Sequence, residues 1–310
     1  MKFANWLASG ILAAGVLCNG SAQAQGKVVV GYSTAPDFAA AFIAKERGYF
    51  EKHKLDVELK FITLTSNMPA ALVSGSVQIG GSTPPVFLQA VDGGLDLVGV
   101  AGGGVYDNTQ GSVQIVARAG THIGSAKDLI GKKFAVPGLN GTLHVLVRKW
   151  LIDKGVDPKN VTFIEVSLPQ IPDVMKGGTI DAAVTGEPFV GRMVATQGAS
   201  IVPGFSTDLP GGFSTVMYAT TRTWASANAV QLTAFRAAIA EAITFANSNR
   251  DQAYDDLGKY FKVPPPALRA TLWPALSAEL SEPQMSFWVD AMGKQQMLKK
   301  IASPASLIVR

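Results

Sequence analysis

Short β-rich runs alternate with helical patterns along this chain, and the alternation begins again after Gly111. Lys27 to Gly31 ("KVVVG") reads as a buried strand, followed by a helical stretch over 38–49. Asp56 to Ile62 alternates as a strand, Val77 to Gly80 is a short strand leading to a helix from about Pro84, and Leu95 to Val100 is another strand. In the second round Val113 to Ala117, Lys133 to Val136, Val161 to Val166 and Ile180 to Val184 read as strands. Leu143, Leu146, Val147, Trp150 and Leu151 sit at the spacing of a helix with one buried face. Phe213 to Thr220 reads as a strand leading into a helical C-terminal third, where Phe235, Ala238, Ile239, Ala242, Ile243 and Ala246 form an apolar stripe. Strands separated by helices imply right-handed crossovers and mostly parallel sheets.

Two α/β units with C-terminal helices left over predict a split arrangement. Residues 25–112 and 218–310 would form one discontinuous domain and 113–217 a second, inserted one. The crossings near Ser112–Arg118 and Phe213–Thr220 would form a two-strand hinge. Of the 310 residues, 47% are hydrophobic and 16% charged, which suits a globular protein with sizeable cores and argues against disorder. The formal net charge of +4 is spread out with no Lys/Arg-rich block, so nucleic acid is not an expected partner.

The first residues, "MKFANWLASGILAAGVLCNGSAQAQGK", read as an export signal: Lys2, an apolar segment from Leu7 to Cys18, then a small-x-small site at Ala22-Gln23-Ala24. Cleavage is expected after Ala24, giving a periplasmic chain of formal charge +3. Cys18 is the only cysteine, and Leu17 before it is not the small residue that a lipid anchor wants. The mature chain would therefore have no disulfide, thiolate nucleophile or Cys-metal site. No later stretch reads as a membrane span.

Three stretches of bland residues follow strands and open helical patterns: "FITLTSNMPAAL" from Phe61, "IGGSTPPVF" from Ile79 and "AVPGLNGTLHVLV" from Ala135. Ser66 and Asn67, Ser82 and Thr83, and Asn140, Gly141 and Thr142 would mark three helix starts. Ligands of open α/β sheets sit beyond the carboxyl ends of the strands, where helix starts present free N–H groups and a partial positive charge. Glycine permits close approach to the backbone and a hydroxyl adds a donor. The same residue types are ordinary helix caps, so each stretch taken alone reads either way.

The motifs "AKERGYFEKHKLDVEL", "ALVSGSVQIGGST", "DLIGKKFAVPGLNGT" and "GGTIDAAVTGEPF", in this order and spacing, resemble the periplasmic solute-binding proteins of ABC importers. The likeness is to the nitrate/sulfonate/taurine group, which also contains thiamine-precursor binders. It implies an α/β periplasmic-binding-protein fold of two domains, each a mostly parallel sheet flanked by helices, with the ligand in the cleft between them. It also implies a small-molecule ligand, with an ABC permease and its ATPase as partners. The chain is expected to act as a monomer without a cofactor.

Further candidates surround the expected cleft. Ser33, Thr34 and Pro36 follow the first strand; Asp37 reads as a wall residue or a helix cap, and Phe38 as wall or core. Tyr106, after three glycines, reads either as a residue that stacks on a ligand or as part of a loop without contact. His144 lies in the first turn of its helix, and Thr185 and Glu187 follow a strand. His53, His122 and His144 have no metal-ligand spacing with acids. Candidate loops lack Arg and Lys, which disfavours a bidentate salt bridge as the anchor, and apolar neighbours such as Phe87 and Leu139 favour an organic ligand. The expected activity is capture of a small organic anion, a sulfonate, a taurine-like compound or a carboxylate, for delivery to a permease. A thiamine-pyrimidine-precursor binder, an enzyme-like relative, and a sensor read by a membrane receptor remain as alternatives. No G-x-S-x-G elbow is present, and the cysteine-rich motif of the pyrimidine-forming relatives is missing.

Overall fold

The computed structural model of the protein describes residues 27–261, 263–300 and 303–309. The expected export signal, its cut after Ala24 and Cys18 lie outside the described residues. Among the described residues there are twelve strands: β1 (Val28–Tyr32), β2 (Val57–Phe61), β3 (Ile79–Ser82), β4 (Leu97–Gly102), β5 (Gly104–Val105), β6 (Val113–Ala117), β7 (Lys133–Val136), β8 (Thr162–Glu165), β9 (Ala182–Gly186), β10 (Ser200–Val202), β11 (Met217–Thr221) and β12 (Ala275–Leu276). The helices are α1 (Ala39–Glu46), α2 (Tyr49–Lys52), α3 (Met68–Val73), α4 (Pro84–Asp92), α5 (Thr142–Asp153), α6 (Ile171–Lys176), α7 (Phe189–Gln197), α8 (Arg222–Ala227), α9 (Ala229–Ser248), α10 (Arg250–Gly258), α11 (Pro265–Arg269) and α12 (Glu282–Lys294).

Ten strands build two five-stranded sheets, ordered β2-β1-β3-β11-β4 and β10-β6-β9-β7-β8. β1 is flanked by parallel partners, with Val30 opposite Leu59 on one side and Ile79 on the other. In the second sheet β7 is parallel to both β8 and β9. Each sheet contains one reversed strand: β11 runs antiparallel to β3 and β4, and β6 antiparallel to β9 and β10.

The reversals follow from connectivity. The chain leaves β4 at the carboxyl end of the first sheet and enters the second sheet from that same side, so β6 must run away from it. β10 ends facing back towards the first sheet, and β11 enters it in the same reversed sense. The carboxyl ends of the other strands thus point into the space that both crossings traverse. The expected strand over Phe213–Thr220 is shorter, because the backbone before Met217 pairs elsewhere. Tyr106 N–H donates to the Phe213 carbonyl at 2.9 Å, and Thr215 N–H to the Gly104 carbonyl at 2.9 Å.

The glycines of "IGGST" make room for the core. A Cβ on Gly81 would lie 2.5 Å from the Phe38 ring, and one on Gly80 would lie 2.8 Å from Met68. Both positions are buried in β3, so side chains from 38 and 68 can press onto the strand. This replaces ligand approach as the reason for that glycine pair. On one face of the first sheet Phe42, Phe50 and Phe235 pack with the apolar stripe of α9; on the other Met68, Phe87 and Trp288 form a core that continues to Leu146 and Trp150 of the second sheet's α5. Gln295 Nε2 donates to the Val145 carbonyl at 3.1 Å, and Arg148 Nε donates to Gln295 Oε1 at 3.0 Å, tying α5 to the segment after α12.

One helix does have the length and composition of a membrane span, against the sequence expectation: α9, with 20 residues. Its stripe of Leu232, Phe235, Ala238, Ile239 and Ala242 is buried in the first sheet's core, and Arg236 donates from its flank to the Val100 carbonyl at 2.5 Å. It is a core helix whose apolar face is matched by neighbours rather than lipid.

Candidate functional site

A cavity of about 150 Å³ opens between the carboxyl ends of the two sheets. Both crossings line it: Ser112 and Val113 at the start of β6, and Thr215 and Val216 before β11. A cavity of roughly this volume holds one aromatic ring.

The first sheet contributes the turn after β1. Ser33, Thr34, Pro36, Asp37 and Phe38 all reach the wall. Phe38 is also fully buried, so it serves wall and core at once. Asp37 does not cap a helix by its side chain. Its carboxylate accepts a hydrogen bond from the Thr215 hydroxyl on the return crossing. Burial pushes the Asp37 carboxyl above the usual range, and the Thr215 hydrogen bond opposes part of that rise. Gly104 is required for this contact, because a Cβ there would collide with both the Asp37 carboxylate and the Thr215 hydroxyl.

Thr83 precedes α4 and lines the cavity; its Oγ1 is buried with no partner, although the residue stands where a cap would. The expectation of a free N–H cradle at this helix needs correction: Pro84 and Pro85 lack N–H groups, so the first two donors are missing. The start of α5 differs. Gly141 caps it with extended backbone and without a proline, and Asn140 before it adopts φ 62°, a left-handed conformation that Asn tolerates. Gly141 and Thr142 both line the cavity. Thr142 Oγ1 donates to the Thr215 carbonyl at 2.8 Å. Thr215 therefore touches the first sheet's Asp37 and the second sheet's Thr142 at once.

Tyr106 presents its ring to the wall, stacked on Phe213 at 4.9 Å, while its hydroxyl donates to the Ser206 carbonyl at 3.0 Å. Burial pushes its pKa up to about 12, so it stays protonated. Glu187 lines the wall just before α7 and accepts the Gly191 N–H of that helix's first turn at 3.2 Å.

Other sequence candidates lie off the wall. Ser66 Oγ donates to Glu165 Oε1 at 2.9 Å, and Ser66 and Asn140 border a separate open groove with Val73 and Leu139. Asn67 precedes α3 without capping it by its side chain. Ser82 Oγ donates to the Thr83 carbonyl at 3.3 Å inside β3. His144 Nδ1 accepts the Asn140 N–H at 2.8 Å and the ring packs on Phe163; burial pushes its pKa down to about 4, so it is neutral at pH 7. Thr185 is fully buried in β9, its Oγ1 without a partner.

Sequence reasoning missed Thr63, Thr65, Gln110, Thr215, Leu272 and Pro274 on the wall. Thr63 and Thr65 stand in the stretch from Phe61, three positions and one position before the candidate Ser66. The wall contains three carboxylates, Asp37, Asp107 and Glu187, and no Lys, Arg, His or Cys. Among the described residues no group of three or more His, Cys, Asp or Glu is placed to hold a metal.

Comparison with known proteins identifies the family and the fold. A Haemophilus influenzae protein named for thiamine biosynthesis is 28% identical over 157 residues, 51% of this chain and 48% of that protein. The bicarbonate-binding protein CmpA of Synechococcus elongatus is 24% identical over 54% of this chain and 42% of its own length. The match thus spans under half of either relative. The alkanesulfonate-binding protein SsuA of Xanthomonas axonopodis pv. citri, bound to MOPS, superposes with a TM-score of 0.77 over 92% of this chain and 98% of that chain, at 19% identity. Such neighbours establish the periplasmic-binding-protein fold. The NMT1/THI5-like family matches residues 35–253, more than half of the sequence, and the chain belongs to that family.

Proposed function

We propose that the protein is the solute-capturing component of an ABC import system. It takes a small organic solute into the cavity between its sheets and hands it to a membrane permease with its ATPase. The observation that carries this reading is the position of the cavity. It lies at the carboxyl ends of both sheets, where open α/β folds bind ligands, and both interdomain crossings pass along its wall. Residues 113–217 act as a second domain that rotates about those crossings and closes on the solute. The names of the relatives, binders of bicarbonate and alkanesulfonate, support solute capture over turnover. The wall offers no Cys or His to serve as nucleophile or base. Export through the leading 24 residues would place the protein in the periplasm, as a monomer.

The start of α5 and the hydroxyls of Thr83 and Thr142 would hold the polar end of the solute, while Phe38, Tyr106 and Leu146 enclose its apolar part. A thermal-shift panel of sulfonates, carboxylates, bicarbonate, nitrate and organic amines tests this. A captured solute at 100 times its Kd should stabilise the protein by about 2.7 kcal/mol. A panel in which no compound raises the melting temperature would count against solute capture.

A further inference from the structure

The charge of the cavity wall separates this site from one built around an anion. Asp37, Asp107 and Glu187 reach the wall and no Lys or Arg does. None of the three carboxylates forms an ion pair among the described residues, although many other surface acids do. Asp107 is occupied by the Thr109 hydroxyl and N–H, and Glu187 by the Gly191 N–H. Asp37 is different. Its carboxylate accepts from the Thr215 hydroxyl and from its own backbone N–H, and it stands half-buried between the two sheets. Its place is built by three separate segments: the turn after β1, the glycine at 104 that leaves space for the carboxylate, and the return crossing. One polar atom of the wall lacks a protein partner. Thr83 Oγ1 lines the same cavity, its residue only 7% exposed, and lies 3.7 Å from where a Cβ of Gly141 would stand.

We infer that the solute carries a protonated or N–H-bearing nitrogen, an amine or amidine, that donates to Asp37, and that it is not a net anion. The inference rests on the reading of this cavity as the solute site and narrows the class of solute that site takes. A carboxylate in a poorly solvated wall needs a cation or strong donor to offset its lost hydration. An ammonium or amidinium supplies that, and its remaining N–H bonds can reach hydroxyls such as Thr83. A simple oxyanion would meet three carboxylates and no counter-charge. The cavity volume limits the enclosed part of the solute to about one ring. A hydrogen-bond acceptor at the other end of such a molecule would suit the N–H groups that open α5.

Titration calorimetry of the purified chain with benzamidine, benzamide, benzoate and benzenesulfonate tests the assignment, since the four match in ring size and differ in charge. Benzamidine should bind at least tenfold more tightly than benzoate or benzenesulfonate. Asp37→Asn should lower benzamidine affinity at least tenfold and leave benzoate unchanged or improved. Because the ranking on the unmodified chain needs no variant, poor folding of Asp37→Asn would not remove the test. Tighter binding of benzoate or benzenesulfonate than of benzamidine overturns the charge assignment and leaves solute capture standing. No binding of benzamidine at millimolar concentration also overturns the assignment, and capture is then decided by the wider panel. Equal benzamidine affinity in folded Asp37→Asn overturns the role of Asp37.

Discussion

Ser66 and Glu165 join the two halves of the molecule: the Ser66 hydroxyl, beyond β2 of the first sheet, donates at 2.9 Å to Glu165 Oε1 at the end of β8 in the second. The same oxygen accepts the Leu139 N–H at 2.9 Å, and a Cβ on Gly138 would lie 2.7 Å from Thr65 Oγ1. In the hinge closure proposed above, this contact would latch the cleft beside its cavity. A latch of this kind adds its free energy to closure only when the halves meet, so it tunes apparent solute affinity without touching the solute.

Ser66→Ala removes the latch donor. It should weaken solute binding by about 0.5–1.5 kcal/mol, the net worth of one hydrogen bond, and raise the radius of gyration of the solute-free protein. Calorimetry and small-angle scattering check the two halves of this expectation. Unchanged scattering and affinity would show that Ser66–Glu165 does not contribute to closure.

Thr83→Ala should separate stability from binding. The buried Oγ1 has no protein partner, so its removal should leave the melting temperature unchanged or raise it. Solute affinity should fall by roughly 0.5–1.5 kcal/mol if the hydroxyl meets the solute. Denaturant unfolding and calorimetry on the same preparation would show whether the two effects have opposite signs.

Gly104→Ala should displace the Asp37–Thr215 pair, since the added methyl overlaps both side chains. The expected result is a binding loss comparable with Asp37→Asn, accompanied by a stability cost of about 1–3 kcal/mol from overpacking. A variant that binds and melts like the parent would mean the Asp37 carboxylate is not needed where the fold puts it.

His144 predicts a pH dependence of stability. Burial, with Arg148 nearby, holds its folded pKa down to about 4, against an ordinary value near ~6.5. Between these values the unfolded chain binds the proton and the folded chain does not, so stability is fully present above about pH 6.5 and falls as pH drops towards 4. The loss is at most about 3.5 kcal/mol, at ~1.4 kcal/mol per pKa unit. Asp37, raised by burial, contributes the opposite slope above its ordinary value. Urea titrations at pH 7 and pH 4.5 should show a larger difference for the parent than for His144→Gln.

The alternation of strand and helix was legible because Val-rich runs such as Lys27–Gly31 and the α9 stripe are buried on predictable faces. β10 was not, because three residues at a sheet edge leave no periodicity. The site was legible in part. Gly141, Thr142 and Thr83 follow strand ends, where open sheets place ligands. The effect of Pro84 and Pro85 on the α4 donors stood in the sequence and was not drawn out. Thr215 carried no local signal: it looked like part of a strand, and only pairing with Gly104 reveals a loop over the cavity. Leu272 and Pro274 reach the wall by tertiary packing of the C-terminal segment, which spacing along the chain cannot express.

The most direct measurement of the central claim is calorimetric titration of the compound that most stabilises the parent chain, against both the parent and Gly141→Val. Gly141 stands at the start of α5 with the Gly138 carbonyl 3.1 Å and Thr83 Oγ1 3.7 Å from an added Cβ, so the branched side chain projects into the space between the sheets. Saturable binding near one equivalent is expected for the parent, and at least tenfold weaker binding for a folded Gly141→Val. Equal affinity in both proteins would contradict capture in this cavity and place the solute elsewhere on the molecule.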